Sequence, residues 1–335
     1  MKTRLARPQW ILWSSPLIIA MTVLVSILYG AKPIELQTVV DTFFQFDPAN
    51  VDHQIIRSSR LPRVAGALLI GAFLAISGAL MQGMTRNYLA SPSIMGVTDG
   101  SAFVITLCMI FLPNSSSLDM IMYSLSGSAL GVAIVFGLAS LLPNGLTPVR
   151  MAIVGTVIGT FLSSVSAAFA MYFQKSQNIS FWYNSRLHQL EPDLIWLCIP
   201  FAIIGIITAL LLSKSITILS LGEEVAVNLG MRTLLIKMTA MGAVVLLTGI
   251  SVALAGKIGF VGLIIPHMTR FLIGIDYKWV IPCAGILGGI FLAWADVLSR
   301  FLNYPYEMPI GVVTALIGVP FFLYLARTRG GDKHA

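Results

Sequence analysis

Ten apolar stretches, most of them about as long as a membrane-spanning helix, divide most of the chain. They lie at residues 10–30, 62–82, 93–112, 118–142, 149–171, 192–213, 234–255, 260–275, 279–299 and 308–326. A helix needs about 20 apolar residues to cross the hydrocarbon core of a bilayer. The pattern therefore predicts an all-α polytopic membrane protein of about ten transmembrane helices. We expect one transmembrane domain over residues 1–335.

The composition excludes a soluble or a disordered chain. Hydrophobic residues make up 57% of the sequence and charged residues 10%, whereas a soluble domain carries about 25% charged residues. Disorder requires low hydrophobicity and high charge. The net charge of +7 does not indicate a nucleic-acid partner, because the 21 Lys and Arg residues form no dense run and mostly flank the apolar stretches.

The basic residues also predict the orientation in the membrane. Three of them precede the first stretch, at positions 2, 4 and 7, and loops on the cytoplasmic side carry an excess of Lys and Arg. With ten spans, both termini are expected in the cytoplasm, and most of the basic residues then lie inside. Arg57, Arg60 and Arg63 cluster on the outer side, against this rule. The first stretch is too long for the apolar region of a signal peptide.

The sequence contains no recognisable catalytic, nucleotide-binding or metal-binding motif. HExxH and GxSxG do not occur, the four histidines lack ligand spacing, and Gly249–Lys257 differs from a P-loop in its spacing and in Ile258. Carboxylates lie at span ends and in loops, except Asp296, which we expect to pair with Arg300 four residues later. Spans without a proton or sodium relay predict a conduit without its own energy source. We therefore expect neither an enzyme nor a bound cofactor or metal.

The sequence pattern of residues 220–231, a segment expected on the cytoplasmic side, predicts a docking helix. Ser220 and Glu223 have the spacing of a capping box, and Gly230 can end a helix in the left-handed conformation. Such a helix is too short to be stable alone in water, and Val225 with Leu229 would give it an apolar face. An amphipathic loop on the bilayer surface is the alternative. Two acidic residues beside a negative leaflet favour a protein partner instead.

A stripe of small, mildly polar residues follows one face of the fifth span: Thr156, Thr160, Ser163, Ser164 and Ala167. Such a stripe could line a wide translocation pathway. Alternatively, the hydroxyl groups bond back to their own helix and the face packs against a neighbour. The sequence leaves both interpretations open.

Five motifs then occur in the order of one transport family. They are RLPR at 60–63, RNYLASP at 86–92, LG-x-x-x-A-x-x-LG at 221–230, GFVGLIIPH-x-x-R at 259–270 and E-x-PIGVVTALIGVPFF at 307–322. Together they resemble the FecCD/BtuC family, the permeases of ATP-driven importers for iron-siderophores, haem and vitamin B12. Within it, the chain is most similar to Feu-type permeases for iron-catecholate siderophores of bacilli. The motifs reach over nearly the whole chain.

The resemblance implies a BtuC-like type II importer in the bacterial plasma membrane. Two permease subunits, identical or paralogous, would surround one pathway, with two ATP-binding-cassette ATPase subunits below and an extracellular solute-binding lipoprotein above. The implied cargo is an iron(III)-siderophore complex, with haem or cobalamin as the alternative. The permease is not a catalyst. The implied contacts with the ATPase come from the third motif: Leu221, Gly222, Glu223, Ala226, Leu229 and Gly230.

The resemblance also assigns the outer arginines. Arg60, Arg63 and Arg300 match positions that meet acidic residues of the binding protein, and Arg suits bidentate carboxylate recognition. Their alternatives are lipid phosphates, or pairing with Asp296 and Glu307.

The sequence departs from the family pattern at two places. Tyr88 replaces a proline, and Asn184 replaces a glycine on the outer side. A gradient-driven exporter and an intramembrane enzyme stay open as other classes of function, but neither accounts for the docking helix.

Overall fold

A computed structural model describes residues 8–30, 32–142, 148–185, 187, 190–303 and 306–330. Within these residues the chain forms α-helices and no β-strand. The helices are α1 (Pro8–Leu28), α2 (Leu36–Phe44), α3 (Val51–Ile55), α4 (Leu61–Thr85), α5 (Val97–Phe111), α6 (Ser117–Leu141), α7 (Pro148–Tyr172), α8 (Ser176–Ser185), α9 (Pro192–Leu221), α10 (Glu223–Asn228), α11 (Thr233–Ala255), α12 (Val261–Ile273), α13 (Tyr277–Phe301) and α14 (Ile310–Gly330).

The predicted spans are confirmed. Among the described residues, seven helices are long and apolar enough to cross a membrane: α1, the continuous segment Val51–Thr85 that ends with α4, α6, α7, α9, α11 and α13. The shorter apolar helices α5, α12 and α14 occupy the remaining three predicted stretches. The basic residues Lys2, Arg4 and Arg7, used to predict the orientation, lie outside the described residues.

Three helices form the centre of the bundle. Within the 18 most apolar consecutive residues of each helix, 67–78% of the residues are buried in α4, α11 and α13, but only 22% in α1 and α7. Glycines allow this close packing: a Cβ on Gly71 would lie 2.2 Å from the Gly288 carbonyl oxygen, and one on Gly78 would lie 1.8 Å from that of Gly262. In lipid, helices associate through such close backbone approach. The apolar outer faces of α1 and α7 are left for lipid or for another subunit.

The chain direction gives the bundle two distinct ends. Gly83, near the end of α4, packs against Ile216 of α9, and α9 leads directly into α10. We call this the α10 end. The starts of α4, α6 and α9 therefore lie at the opposite end, together with α2, α3 and α8.

Two helices begin inside the bundle. α5 has 15 residues and α12 has 13, so at 1.5 Å per residue they are roughly 22 Å and 20 Å long, less than the core thickness of about 30 Å. Non-helical backbone precedes α12 at Gly256–Phe260, where Gly256 and Phe260 have φ values of +72° and +67°. A short 3-10 turn, Ser93–Met95, precedes α5. The chain thus carries irregular backbone within the membrane-spanning region.

α12 runs through Pro266 without a break, because a neighbouring side chain compensates for the missing amide hydrogen. Proline at 266 cannot donate to the carbonyl of Gly262. Instead, the Gln82 amide donates to the carbonyl oxygens of Leu263 at 3.0 Å and Gly262 at 3.4 Å. The interruption that Pro266 suggested in the sequence is therefore repaired from α4.

Candidate coupling surface and translocation pathway

The segment predicted as one docking helix is divided by Gly222. α9 continues to Leu221, and α10 then spans only Glu223–Asn228. Gly222 has φ +153°, a region that strongly favours glycine, so it sets the angle between the two helices. Gly230 has φ +77° and follows the end of α10, which confirms the predicted left-handed residue.

The predicted capping box is wrong. Ser220 lies in the last turn of α9, where its hydroxyl donates to the carbonyl oxygen of Thr217 at 2.6 Å. Gly222 is the N-cap residue of α10, and no side chain caps it. The serine spacing matched the motif, but α9 extends to Leu221, about two turns beyond the predicted end at residue 213, so Ser220 belongs to α9.

The exposed side of this segment is apolar. We define the coupling surface as Leu221, Val225 and Leu229, whose side chains are 58%, 44% and 64% exposed. Ala226, on the other side of α10, is fully buried. Three large apolar side chains beside two acidic residues would gain free energy by burial against another protein.

A salt bridge fixes α10 to the bundle. The Lys237 ammonium of α11 lies 2.6 Å from a carboxylate oxygen of Glu223. The hydrogen bond from Lys237 is the main cause that lowers the pKa of Glu223 from its ordinary value of 4.5. Glu223 therefore stays ionised at neutral pH, and α10 is tied to both α9 and α11.

The turn between α4 and α5 packs on the same end. Arg86 ends α4 with φ +50°, and the Asn87 side chain accepts a hydrogen bond from the Leu89 amide at 2.9 Å. Tyr88, the residue in place of proline, has its ring 4.7 Å from the Arg270 guanidinium carbon. Arg270 is buried and also donates to Gln82 and to the Tyr277 hydroxyl. Tyr88 thus supplies an aromatic face to a buried cation.

At the opposite end, the three arginines predicted to dock a partner are buried. Arg63 donates to Asp296 at 2.9 Å and to Glu307 at 2.8 Å. Arg300 pairs with Asp296 and donates to the carbonyl oxygen of Ser26 at 2.8 Å. Arg60 donates to the carbonyl oxygens of Ile27 and Lys32. All three guanidinium groups thus have partners within the chain. The alternative interpretation, pairing with Asp296 and Glu307, is confirmed for Arg63 with both carboxylates and for Arg300 with Asp296.

The polar stripe of α7 lies along an exposed groove. A groove of about 550 Å³ is lined by Thr156, Thr160, Ser163, Ser164 and Ala167, together with Asp99 of α5. The hydroxyls of Thr156 and Thr160 donate to carbonyl oxygens of their own helix at 2.8 Å and 2.9 Å. Back-bonding, the alternative interpretation, is therefore correct for these two hydroxyls, and the face is nevertheless exposed.

Comparison with known proteins identifies the family. The model of the FecCD transport family matches residues 17–328. The chain belongs to the FecCD transport family. It is 60% identical over 329 residues to the iron-uptake system permease protein FeuB of Bacillus subtilis, covering 97% of this chain and 98% of FeuB. It is 33% identical over 323 residues to the ferric enterobactin transport system permease protein FepD of Escherichia coli, covering 94% and 95%.

Among solved structures, the fold matches an inward-facing metal-chelate type ABC transporter. The TM-score is 0.82 at 30% sequence identity, and the match covers 96% of this chain and 99% of that one. As a FecCD protein, the chain is a multi-pass membrane protein and a transport component, not an enzyme.

One ion pair of this FecCD chain was missed in the sequence. Asp99 lies in the first turn of α5, inside the third predicted stretch, and forms a salt bridge of 2.7 Å with Lys257. We expected carboxylates only at span ends and in loops, apart from Asp296, and this is wrong. The two residues are 158 positions apart, so no local pattern pointed to their pairing. The signal that could have found Asp99 is its place inside an apolar stretch.

Proposed function

We propose that this protein is the permease subunit of an ATP-binding-cassette importer that carries an iron(III)-siderophore complex into the cell. The observation that supports it most is the exposed apolar coupling surface at one end of the helical bundle. The names of its relatives FeuB and FepD support an iron chelate as the cargo. Haem or cobalamin is the alternative, since a relative 33% identical over 287 residues is named the cobalamin import permease BtuC of Halobacterium salinarum.

The proposed assembly places residues 1–335 as one permease domain beside a second, identical or paralogous permease. Both termini and the α10 end face the cytoplasm of a bacterial cell. Two ATPase subunits bind there, and an extracellular solute-binding lipoprotein binds the opposite end. The exposed apolar faces of α1 and α7 leave enough uncovered surface for the second permease.

The proposed coupling runs through α10. The coupling surface binds in a groove of the ATPase. Contacts from the third motif fix the angle of α10 relative to α9, and these contacts include Gly222, Glu223 and Gly230. Because Glu223 is bonded to Lys237 and Ala226 is buried, a displacement of α10 moves α9 and α11 with it. α11 leads into the irregular segment Gly256–Phe260, beside the polar groove of α7. This route links ATP hydrolysis in the partner to alternating access of the pathway.

We propose an indirect role in docking for Arg60, Arg63 and Arg300. All three are less than a tenth exposed, so they hold the ends of α1, α4 and α13 in register and thereby shape the surface that receives the binding protein. Arg57 is exposed beside Phe46. It is the member of this arginine cluster that can steer an acidic partner directly.

The test is Val225→Asp. An acidic residue near a helix N-terminus is favourable, so α10 should persist while its apolar surface is lost. The permease should insert normally but no longer co-purify with its ATPase, and binding-protein-stimulated ATP hydrolysis should fall to the basal rate. Val51→Asp is the matched control, because Val51 is 64% exposed at the opposite end. Normal ATPase binding by Val225→Asp would refute the assignment of the coupling surface.

A further inference from the structure

The salt bridge between Asp99 and Lys257 joins the two places where helices begin inside the bundle. Asp99 belongs to the first turn of α5, and Lys257 to the irregular segment that precedes α12. Non-helical backbone at membrane depth is tolerated only where protein buries it or where it lines a water-filled cavity. The segment before α5 lines the groove of α7, and Lys257 from the segment before α12 bonds Asp99 and Ser163, which also line it. This groove is therefore a candidate for such a cavity.

Ser163 of α7 completes the cluster. The Lys257 ammonium donates to the Asp99 carboxylate at 2.7 Å and to the Ser163 hydroxyl at 3.1 Å, and Ser163 donates to the same carboxylate oxygen at 3.1 Å. Gly159 leaves room for the carboxylate, since a Cβ there would lie 2.4 Å from it. Gly159 and Ser163 lie in the middle third of α7, which runs from Pro148 to Tyr172. The charges are therefore deep within the membrane-spanning part.

The cluster is not sealed in protein. The side chains of Lys257 and Asp99 are 33% and 22% exposed, and Asp99 lines the 550 Å³ groove together with the polar stripe of α7. Ionisable groups at this depth are costly in contact with lipid, and they mark pathways for ions and polar substrates.

We propose that Lys257 is a subsite on the translocation pathway for anionic oxygen atoms of the cargo, such as the catecholate or carboxylate oxygens of a metal chelate. This inference rests on the proposed function as an importer. An ammonium group has three donors, and towards the described residues Lys257 donates two hydrogen bonds, to Asp99 and Ser163. The third is left for the cargo, and the Tyr183 ring, 5.4 Å from the ammonium nitrogen, supports its position.

Asp99 makes the subsite weak enough for transport. The Asp99–Lys257 pair is neutral overall, so a passing anion shares the ammonium with Asp99 and is not held by an uncompensated charge. A pathway must bind its substrate well enough to admit it and weakly enough to release it. Asp99 is thus a positioning residue, whereas Lys257 and Ser163 contact the cargo.

The first experiment measures the electrostatics of the groove without relying on transport. Thr160→Cys is placed on the stripe of the full importer, with Cys108, Cys198 and Cys283 replaced by alanine. Its reaction rates are measured with anionic sulfonatoethyl and cationic trimethylammonioethyl methanethiosulfonate. Lys257→Met should lower the anionic-to-cationic rate ratio by about tenfold, as expected for one unit charge nearby, and Asp99→Asn should raise it. A cysteine that is unreactive in every nucleotide state would overturn the proposal.

The second experiment separates a subsite from a structural pair. ATP-driven uptake of the iron(III) complex of a tricatecholate is compared for Lys257→Met and for the neutral double variant Asp99→Asn with Lys257→Met. In both, uptake should fall about tenfold, the loss of one charge-assisted hydrogen bond, while Lys257→Arg should retain most of it. Wild-type uptake by the double variant would show a structural pair only.

The control is the other Lys–Asp salt bridge found among the described residues, Lys32 with Asp52, which are 2.5 Å apart and lie at the end of the bundle opposite to α10. Lys32→Met with Asp52→Asn should leave the anionic-to-cationic rate ratio of Thr160→Cys unchanged, because this pair is remote from the groove. If the wild-type importer shows no ATP-driven uptake at all, the proposed function fails. The cysteine reactivities then still decide whether the groove is open and positively biased by Lys257.

Discussion

Removal of the Arg63 guanidinium tests whether the buried arginines support the fold or only a partner. In the structure, Arg63 is the one side chain, among the described residues, that bonds both Asp296 and Glu307. Arg63→Met keeps the length and most of the apolar volume of the side chain. It should therefore remove the charge without opening a large cavity.

The expected loss follows from the two carboxylates that remain. Breaking a buried ion pair by deleting one partner costs about 3–5 kcal/mol. Asp296 is 1% exposed but keeps Arg300, and Glu307 is 35% exposed and can turn towards water. Because both carboxylates keep a partner or water, we expect the free energy of unfolding to fall by about 3 kcal/mol, the lower end of this range.

The assay is thermal unfolding of the purified permease in detergent, with Arg57→Met as the matched control, because Arg57 is exposed. Arg63→Met should unfold several degrees below the wild type, whereas Arg57→Met should unfold at the same temperature as the wild type. A variant at position 63 as stable as wild type, yet defective in capturing the binding protein, would refute the structural role. It would restore direct docking by Arg63.

Three further outcomes are expected. Gly222→Val should cost about 1–3 kcal/mol of local strain at φ +153° and abolish binding-protein-stimulated ATP hydrolysis. Wild-type stimulation by this variant would contradict the role of Gly222. Because Lys237 lowers the pKa of Glu223, their bond stabilises α10 fully above pH 4.5 and is lost as the pH falls through the lowered pKa. ATPase stimulation in the wild type should therefore not change between pH 6 and 8. A decline in this range that Lys237→Met abolishes would contradict this expectation. Gln82→Leu should destabilise the protein by about 1–3 kcal/mol, since the Leu263 carbonyl and Arg270 lose a buried partner. An unchanged unfolding temperature would show that α12 does not need the hydrogen bond from Gln82 near Pro266.

The membrane-spanning helices could be predicted because their apolar length is a local property of the chain. The ten stretches, the left-handed Gly230 and the pairing of Asp296 with Arg300 depend on residues close in sequence. The boundary at Gly222 was missed. No local sequence feature shows whether Ser220 caps a new helix or belongs to the last turn of α9, as it does in the structure.

Contacts between distant segments could not be predicted. Lys257 with Asp99 and Gln82 with Leu263 are 158 and 181 positions apart. The burial of Arg60, Arg63 and Arg300 depends on how α1, α4 and α13 pack together, and a positive residue near a span end gives no sign of whether it faces water or a carboxylate. The sequence named Asp296 and Glu307 as possible partners of the outer arginines but could not choose them over docking, and it named no partner for Lys257 or Gln82.

The central claim is that this permease imports a ferric chelate with energy supplied by a partner ATPase. The direct measurement is uptake of radioactive iron(III)-tricatecholate into proteoliposomes that contain the permease, its second permease subunit and the ATPase, with loaded binding protein outside and ATP inside. Uptake should require ATP and should persist when an ionophore collapses the proton gradient, because the cluster of Asp99 and Lys257 is paired and offers no relay across the bundle. Uptake that stops with the ionophore while ATP is constant would contradict the account.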